Sequence, residues 1–300
     1  MRAPTLAVVC VPGLVAALAV AVAAQDEEVE IRVVDVAPGV HMLVGRGGNL
    51  GVSSGPDGVF LIDDQFAPLT AKIRAALAKI SDAPVRFLVN THWHSDHTGG
   101  NENFAKLGAV IVAHDNVRRR MSKEQFMAAF DRTVPASPPA ALPVVTFGGD
   151  VTLHWNGDEI HALHVPAAHT DGDAIVHFRK ANAIHAGDVY FAGGYPFIDL
   201  DSGGGIEGLI AAVERVLALS DEDTAIIPGH GELSNRAELS RHRTMLVSVR
   251  DRVKQAIAAG KTLRALLAEE PLADFDEEWG GGFVDSEDFL RTVYTSLSSR

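Results

Sequence analysis

Apolar positions along the chain switch repeatedly between strand-like and helical spacing. Ile31–Val36 and Val40–Val44 are β-rich runs on either side of Ala37-Pro38-Gly39, the composition of a hairpin turn. Leu50–Ser53 and Val59–Ile62 flank a second turn, Gly55-Pro56-Asp57-Gly58. Leu69, Ile73, Leu77 and Ile80 then recur at helical spacing. Val85–Asn90 is again a strand and runs into a histidine-rich segment, Thr91 to Gly100. A short helical pattern precedes the strand Ala109–Ala113, and further strands are expected at Val151–Trp155, Glu159–Val165, Ala174–Phe178 and Ala183–Ala186. Ile206, Leu209, Ile210, Val213 and Leu217 make one helix face, and Ala225–Pro228 follows as a strand. A long helix opens at Asn235, with Glu238 at capping-box spacing, and stops at Gly260. The last forty residues read as helix and loop. The succession predicts an α/β protein whose sheets carry helices on their outer faces, with a helical C-terminal extension from about residue 235.

The N-terminus has a different pattern. After Arg2 the chain is nearly continuously apolar from Leu6 to Ala24, ends in Ala21-Val22-Ala23-Ala24, and turns polar at Gln25-Asp26-Glu27-Glu28. This is the layout of a secretory signal peptide over residues 1–24, cut after Ala23 or Ala24, and it predicts a periplasmic or secreted protein. A retained membrane anchor is the alternative, interrupted here by Pro12 and Gly13. Cleavage leaves residues 25–300 as one domain with no stable membrane insertion, because no later apolar run is long enough to span a bilayer.

Composition narrows the chemistry. The chain has 300 residues, 26 Lys and Arg against 39 Asp and Glu, and a formal charge of −13. Such an excess of negative charge argues against a nucleic-acid partner and leaves a small-molecule substrate as the expectation. The single cysteine, Cys10, lies in the leader, so neither a disulfide framework nor a cysteine zinc site is available. Any metal must be held by histidine, of which there are 13, and by carboxylates.

Thr91-His92-Trp93-His94-Ser95-Asp96-His97 supplies four metal-ligand side chains directly after a strand. In extended backbone His92 and His94 point the same way, while Gly99-Gly100 lets the chain turn into a helix at Asp96 and His97. Two imidazoles can therefore serve one ion and Asp96 with His97 a second.

The segment resembles the His-x-His-x-Asp-His motif of the metallo-β-lactamase superfamily of hydrolases. Three further stretches, each after a strand and in the family order, extend the resemblance over roughly Ile31 to Gly231: His169-Thr170-Asp171-Gly172-Asp173, Gly187-Asp188 and Pro228-Gly229-His230-Gly231. The resemblance implies an αβ/βα four-layer sandwich with the site at one edge of the paired sheets. It implies two Zn²⁺ ions per chain, the first held by His92, His94 and His169, the second by Asp96, His97 and His230, with Asp188 bridging. Two such ions, about 3.5–4 Å apart, can share a hydroxide that serves as nucleophile, and Asp96 would orient it as the catalytic carboxylate. Imidazole and carboxylate donors suit zinc, with iron or manganese as other occupants.

Other residues carry competing readings. Gly51-Val52-Ser53-Ser54-Gly55 matches the Gly-x-Ser-x-Gly elbow but is followed by a turn and a strand, so it reads as a hairpin. Asp63 and Asp64 read first as a helix cap, second as acceptors from a ligand histidine. His161, His164 and His185 lie in or beside strands and read as core or supporting positions, while His41, His114, His154, His177 and His242 sit in no motif. Trp93, Tyr190, Phe191, Tyr195 and Phe197 are candidates both for a substrate wall and for core.

Within the superfamily, export and acidity weigh against nucleases, and the lack of a flavodoxin-like domain weighs against the redox branch. The glyoxalase II branch usually has a basic C-terminal region, whereas Asp274-Phe275-Asp276-Glu277-Glu278 is acidic. The β-lactamase branch with a cysteine ligand has Cys where Asp188 stands. The expectation is an exported dinuclear zinc hydrolase of a small cyclic amide, ester or thioester, with β-lactamase-like activity as the leading specific reading. A glyoxalase II-like thioesterase or lactonase is the alternative, and a non-catalytic zinc-binding protein is the alternative of another class.

Overall fold

The computed structural model describes residues 29–298; the signal-peptide expectation for 1–24 lies outside the described residues. Four antiparallel strands open the fold: β1 (Arg32–Ala37), β2 (Val40–Val44), β3 (Leu50–Ser53) and β4 (Val59–Ile62). The Gly51–Gly55 stretch is accordingly the end of β3 and the turn into β4, a hairpin and no nucleophile elbow. Helix α1 (Thr70–Leu77) buries Ile73, Ala76 and Leu77, as its periodicity requires, and leads into β5 (Val85–Val89). Short helices α2 (Ser95–Thr98) and α3 (Asn101–Lys106) precede β6 (Val110–His114) and α4 (Asp115–Met121). An isolated hairpin, β7 (Gln125–Met127) and β8 (Arg132–Val134), comes before β9 (Val145–Phe147). Strands β5, β6 and β9 join in parallel, giving a seven-stranded sheet in the order β1-β2-β3-β4-β5-β6-β9.

The second sheet has six strands in sequence order: β10 (Asp150–Trp155), β11 (Asp158–His164), β12 (Ala174–Phe178), β13 (Ala183–Phe191), β14 (Ala225–His230) and β15 (Ser234–Asn235). Helix α5 (Ile206–Leu219) makes the crossover between the parallel pair β13 and β14. Helix α6 (Arg236–Ala258) starts where expected: Asn235 accepts a hydrogen bond from the Glu238 amide at 3.1 Å, a cap worth about 1 kcal/mol. Helices α7 (Leu263–Leu267), α8 (Asp276–Trp279) and α9 (Ser286–Ser298) complete the chain.

The sheets pack face to face through Phe60, Ile62, Val89 and Val112 on one side and Ile160, Val176 and Phe178 on the other. Phe60 meets Phe178 edge-on at 6.5 Å, a favoured aromatic geometry. The outer face of the second sheet is covered by α5, α6 and α9 through residues such as Leu209, Val213, Leu246, Val249 and Phe289. Strands β3, β4 and β13 are buried on both faces, and of these β4, Val59–Ile62, runs apolar without alternation.

Two parts of the fold differ from the sequence expectation. Strand β13 runs on from Ala186 to Phe191, because Gly187, at φ +53, forms a bulge that lets the ladder resume beyond it. The hairpin β7–β8 and the short strand β9 carry no period-two apolar pattern, since most of their residues are exposed.

His242 of α6 is fully buried between Tyr190 and Trp279, with neither ring nitrogen hydrogen-bonded. Burial alone pushes its pKa down to about 3, so the folded protein holds it neutral while the unfolded chain protonates it near pH 6.5. Above pH 6.5 the group is neutral in both states and contributes nothing to the pH dependence. As pH falls from 6.5 toward 3, the unfolded state gains a proton that the folded state refuses, and stability drops. Replacing the ring with leucine removes that loss, about 2 kcal/mol between pH 6.5 and 5. Urea unfolding of wild type and His242→Leu at pH 8 and pH 5 should show a shallower decline for the variant; parallel declines would refute the assignment.

Candidate metal centre

The site is built where both sheets end. Strand β5 stops at Val89, and Asn90 turns the chain by exchanging side-chain hydrogen bonds with Asn101 at 3.0 and 2.9 Å. The next residues have no partner strand and present Thr91 to His94 as irregular backbone; His94 then precedes α2, which carries Asp96 and His97. The other half comes from the second sheet. His169 lies in the loop between β11 and β12, held by the Thr170 amide donating to Asp173 at 2.8 Å. Asp188 follows the Gly187 bulge, where a Cβ would stand 2.9 Å from Thr91. His230 ends β14, after Gly229, where a Cβ would meet Asp188 Oδ1 at 2.1 Å; only glycine allows that approach. Asn49 fastens the two halves, its side-chain amide donating to the carbonyls of Pro228 and Gly231 at 3.0 and 2.9 Å.

All seven residues singled out in the sequence come together, in two groups. His92, His94, His169 and Asp188 bring one ligand atom each within 4.8 Å of one another, as do Asp96, His97 and His230. Asp188 lies between the groups: Oδ1 is 3.1 Å from His97 Nε2, and Oδ2 is 3.5 Å from His230 Nε2, 3.6 Å from His169 Nε2 and 3.8 Å from His92 Nε2. The inner nitrogens nearly touch, with His92 Nε2 and His169 Nε2 at 3.1 and 2.9 Å from His94 Nδ1.

The outward nitrogen of each ring explains how they can do so. His169 Nδ1–H donates to the Phe197 carbonyl at 2.8 Å, His94 Nε2–H to Asp199 at 2.9 Å and His97 Nδ1–H to Asp63 at 2.8 Å. The Thr91 hydroxyl donates to Asp63 at 2.7 Å and therefore accepts from His92 Nδ1–H at 3.1 Å. His92, His94 and His169 have their outward protons spoken for, so their inward nitrogens present lone pairs, while the inward Nε2 of His97 faces Asp188 Oδ1 at 3.1 Å. Lone pairs converging on one point repel one another unless a cation lies between them.

Charge follows the same division. Burial, with His97 adding to it, holds the His92 imidazole well below its ordinary pKa, and burial takes His169 down to about 4. Both rings are therefore neutral at physiological pH, the form a metal requires. Burial also opposes charge on His97 and His230, but Asp188 overcomes it in both, aided by Asp96; His97 is raised well above its usual value and His230 to about 9. Burial would raise Asp96 and Asp188, yet His97 leads the opposing effect: Asp96 is held at about 2 and Asp188 well below the carboxylate range. The second group thus draws in positive charge, which protons or a metal ion can supply. The donor set fits a divalent metal: five imidazoles, two ionised carboxylates, and a buried Asp188 Oδ1 with no hydrogen bond.

Asp63 is an acceptor from His97 and Thr91, and the adjoining 3-10 turn has no side-chain cap, which corrects the first reading of this residue. Asp64 likewise accepts from the Gly100 amide at 2.9 Å. Asp199 was missed, since it lies 105 residues from His94 with no motif around it. Trp93 both borders the cavity above the site and packs on Val117 and Met121; Phe191, Tyr195 and Phe197 also line that cavity, whereas Tyr190 is core beside His242.

Two paired sheets under helices, with an imidazole and carboxylate cluster across their common edge, define the class of α/β sandwich that houses metal centres. Residues 45–230 match the family described as the metallo-beta-lactamase superfamily, and the chain belongs to that family. It is similar to a hydroxyacylglutathione hydrolase of Polaromonas sp. strain JS666, 28% identical over 177 residues, covering 59% of this chain and 60% of the relative. The chain thus spans about 60% of that relative's length. A metallo-beta-lactamase from Pontibacter korlensis superposes with TM-score 0.58 at 19% identity, over 72% of this chain and 99% of the other. The sec-alkyl sulfatase PisA1 superposes with TM-score 0.66 at 16% identity, over 92% of this chain and 51% of the other. At those identities the two structures establish the fold alone.

The hydrogen-bond pattern predicts an asymmetric response to two substitutions. Asp63 orients His97 directly and His92 through Thr91, so Asp63→Asn should weaken metal binding at both groups, by about 10- to 100-fold. Asp199 touches only His94, so Asp199→Asn should weaken the first group alone. Competition with a chromophoric zinc chelator resolves the two affinities, and equal effects of both variants at both groups would contradict the assignment.

Proposed function

We propose that the protein is a metal-dependent hydrolase of a small ester, thioester or cyclic amide, working with two zinc ions. The observation that carries this reading is the convergence of the inward ring nitrogens of His92, His94, His97 and His169 around the shared carboxylate of Asp188. His92, His94 and His169 would hold one ion, Asp96, His97 and His230 the other, and Asp188 both. Ions bound there supply Lewis acidity, polarising a substrate carbonyl and acidifying water.

The chain's own groups do the rest. Both carboxylates line the cavity, but Asp188 is 5% exposed and committed to its neighbours, whereas the Asp96 side chain is 27% exposed. Asp96 is therefore the carboxylate placed to hold a water molecule and accept its proton. The Trp93 and Phe197 rings beside His94 exclude bulk water from one flank.

Thioester hydrolysis is the first activity to test, because the sequence relatives include hydroxyacylglutathione hydrolases at 28 and 29% identity. β-Lactam opening, the leading expectation from sequence, is supported by the fold alone. Mature protein purified without chelator and supplied with zinc should approach two ions per chain and hydrolyse at least one member of a panel of thioesters, lactones and β-lactams. A ceiling of one ion overturns the dinuclear reading; two ions without turnover favours a zinc-binding protein. In the same assay Asp96→Asn should lower turnover by a factor of about 10²–10⁴ while the first group keeps its ion.

Export belongs to the same proposal and rests on the leader-like pattern of residues 1–24. Intact-mass measurement on protein from an export-competent host should place the mature N-terminus at Ala24 or Gln25. Recovery of the uncut chain in membranes would favour an anchor instead.

A further inference from the structure

The metal centre forms the floor of a cavity of about 690 Å³. Its wall is aromatic: Phe66, Trp93, Phe191 and Phe197 near the floor, Phe130 and Phe283 at the mouth. The two mouth residues are 44% and 76% exposed, yet their rings form a row of tilted neighbours, Phe283 6.0 Å from Phe130 and Phe130 5.2 Å from Phe197. An exposed aromatic row leading down to a reactive centre is apolar surface without an apolar partner in the free protein.

The charged hairpin side chains that line the mouth are cations. Among the cavity-lining residues the acids are Asp96 and Asp188, both engaged with the histidines of the floor. Four cations line the cavity: Arg46 lies over the Phe66 ring at 4.9 Å, while Lys123 and Arg132 are exposed and neither forms an ion pair among the described residues. Arg120 differs, being locked onto Asp171 at 2.7 and 2.8 Å. In a chain of net charge −13 this cationic rim runs against the overall field. Arg132 lies on β8 and Lys123 just before β7; that hairpin pairs with neither main sheet. Its turn is tied down by the Ala128 amide donating to Asp201 at 2.7 Å.

From this geometry we infer that the hydrolase substrate is an anionic amphiphile: an ester or thioester whose carbonyl lies at the metal floor, whose apolar stem follows the phenylalanine row, and whose carboxylate end meets Lys123 and Arg132. The inference rests on the hydrolase reading and narrows it. A polar acyl-peptide thioester would leave the row of Phe130, Phe197 and Phe283 unburied. Hydrolysis adds water across the C–S bond: the carbonyl carbon takes the oxygen, sulfur leaves as the thiolate and is protonated, and nothing is oxidised.

The probes are S-acetyl ω-mercaptoalkanoates with stems of increasing length, from propanoate to undecanoate, with the matching carboxamides as neutral controls, assayed by thiol release. Non-hydrolysable S-ethyl thioethers of the same acids measure binding by calorimetry. With zinc-loaded protein, kcat/KM should rise by about tenfold or more from the shortest to the longest stem. The carboxylate should be preferred over the carboxamide by about tenfold at low salt, and the preference should shrink as salt is raised. Lys123→Ala/Arg132→Ala should bring the carboxylate-to-carboxamide ratio toward one, and Phe130→Ala/Phe283→Ala should flatten the dependence on stem length. All four side chains are exposed, and circular dichroism checks that the variants are folded. Turnover and thioether binding that are indifferent to stem length and charge overturn the amphiphile assignment and leave the hydrolase reading standing. Selective thioether binding with no turnover of these probes or of the lactone and β-lactam panel overturns the hydrolase reading and supports the ligand class.

Discussion

The carboxylate of Asp63 is the point on which the centre depends. Its backbone sits in the left-handed region at φ 58, which an aspartate tolerates better than most residues. From there the side chain, with no exposed surface, accepts the Thr91 amide at 2.8 Å, the Thr91 hydroxyl at 2.7 Å and His97 Nδ1–H at 2.8 Å. One buried carboxyl group thereby shapes the turn after β5 and orients two histidines, His97 directly and His92 through the threonine. A buried carboxylate persists only with such compensation, so the orientation of the rings and the solvation of Asp63 are a single requirement.

That requirement extends across the sandwich. His92, His94, Asp96 and His97 follow the first sheet, while His169, Asp188 and His230 belong to the second. Their spacing is therefore set by how the sheets pack, through the apolar layer of Phe60, Ile62, Val176 and Phe178. Asn49 sharpens the registration at the edge itself: its amide nitrogen and side chain both bond the Pro228–Gly231 loop, and its carbonyl accepts from His185 Nε2 at 3.0 Å. Buried polar ties of this kind specify one alignment where apolar packing alone would tolerate several.

Much of this was legible in the sequence, for definite reasons. Strands buried on both faces, such as β4 and β14, read directly from their apolar runs. The ligand-type residues were found because His92 through His97 crowd into six positions and the remaining three follow the strand ends expected from sequence, although Asp188 and His230 lie within β13 and β14 themselves. The supporting residues were less visible. A hydrogen-bond acceptor need only be an oxygen at the right place, and Asp199, the Phe197 carbonyl and Thr91 satisfy that without any pattern. Asp63 looked like a helix cap because a helix does follow; the choice between cap and acceptor is made by tertiary contact. His242 shows the reverse: its environment is apolar, and nothing in its local sequence signals that neither nitrogen would find a partner.

The elements that were hardest to foresee are also those that shape access to the centre. The hairpin carrying Phe130 and Arg132 lacks alternation because both of its faces meet solvent or the cavity, so no core imposes a period on it. Two strands of three residues are marginal on their own, and this pair is fastened by a few contacts: Asp201, Gln125 with Arg120, and the Phe130–Phe197 ring pair. Stability is therefore lowest where the cavity wall is built and highest where the histidines are fixed. Such a division lets the mouth change in sequence and shape without moving the seven residues of the floor, because no ring at the floor takes its outward hydrogen bond from the hairpin. Chemistry held by the paired sheets and recognition held by a loosely attached hairpin are then separable properties of one chain.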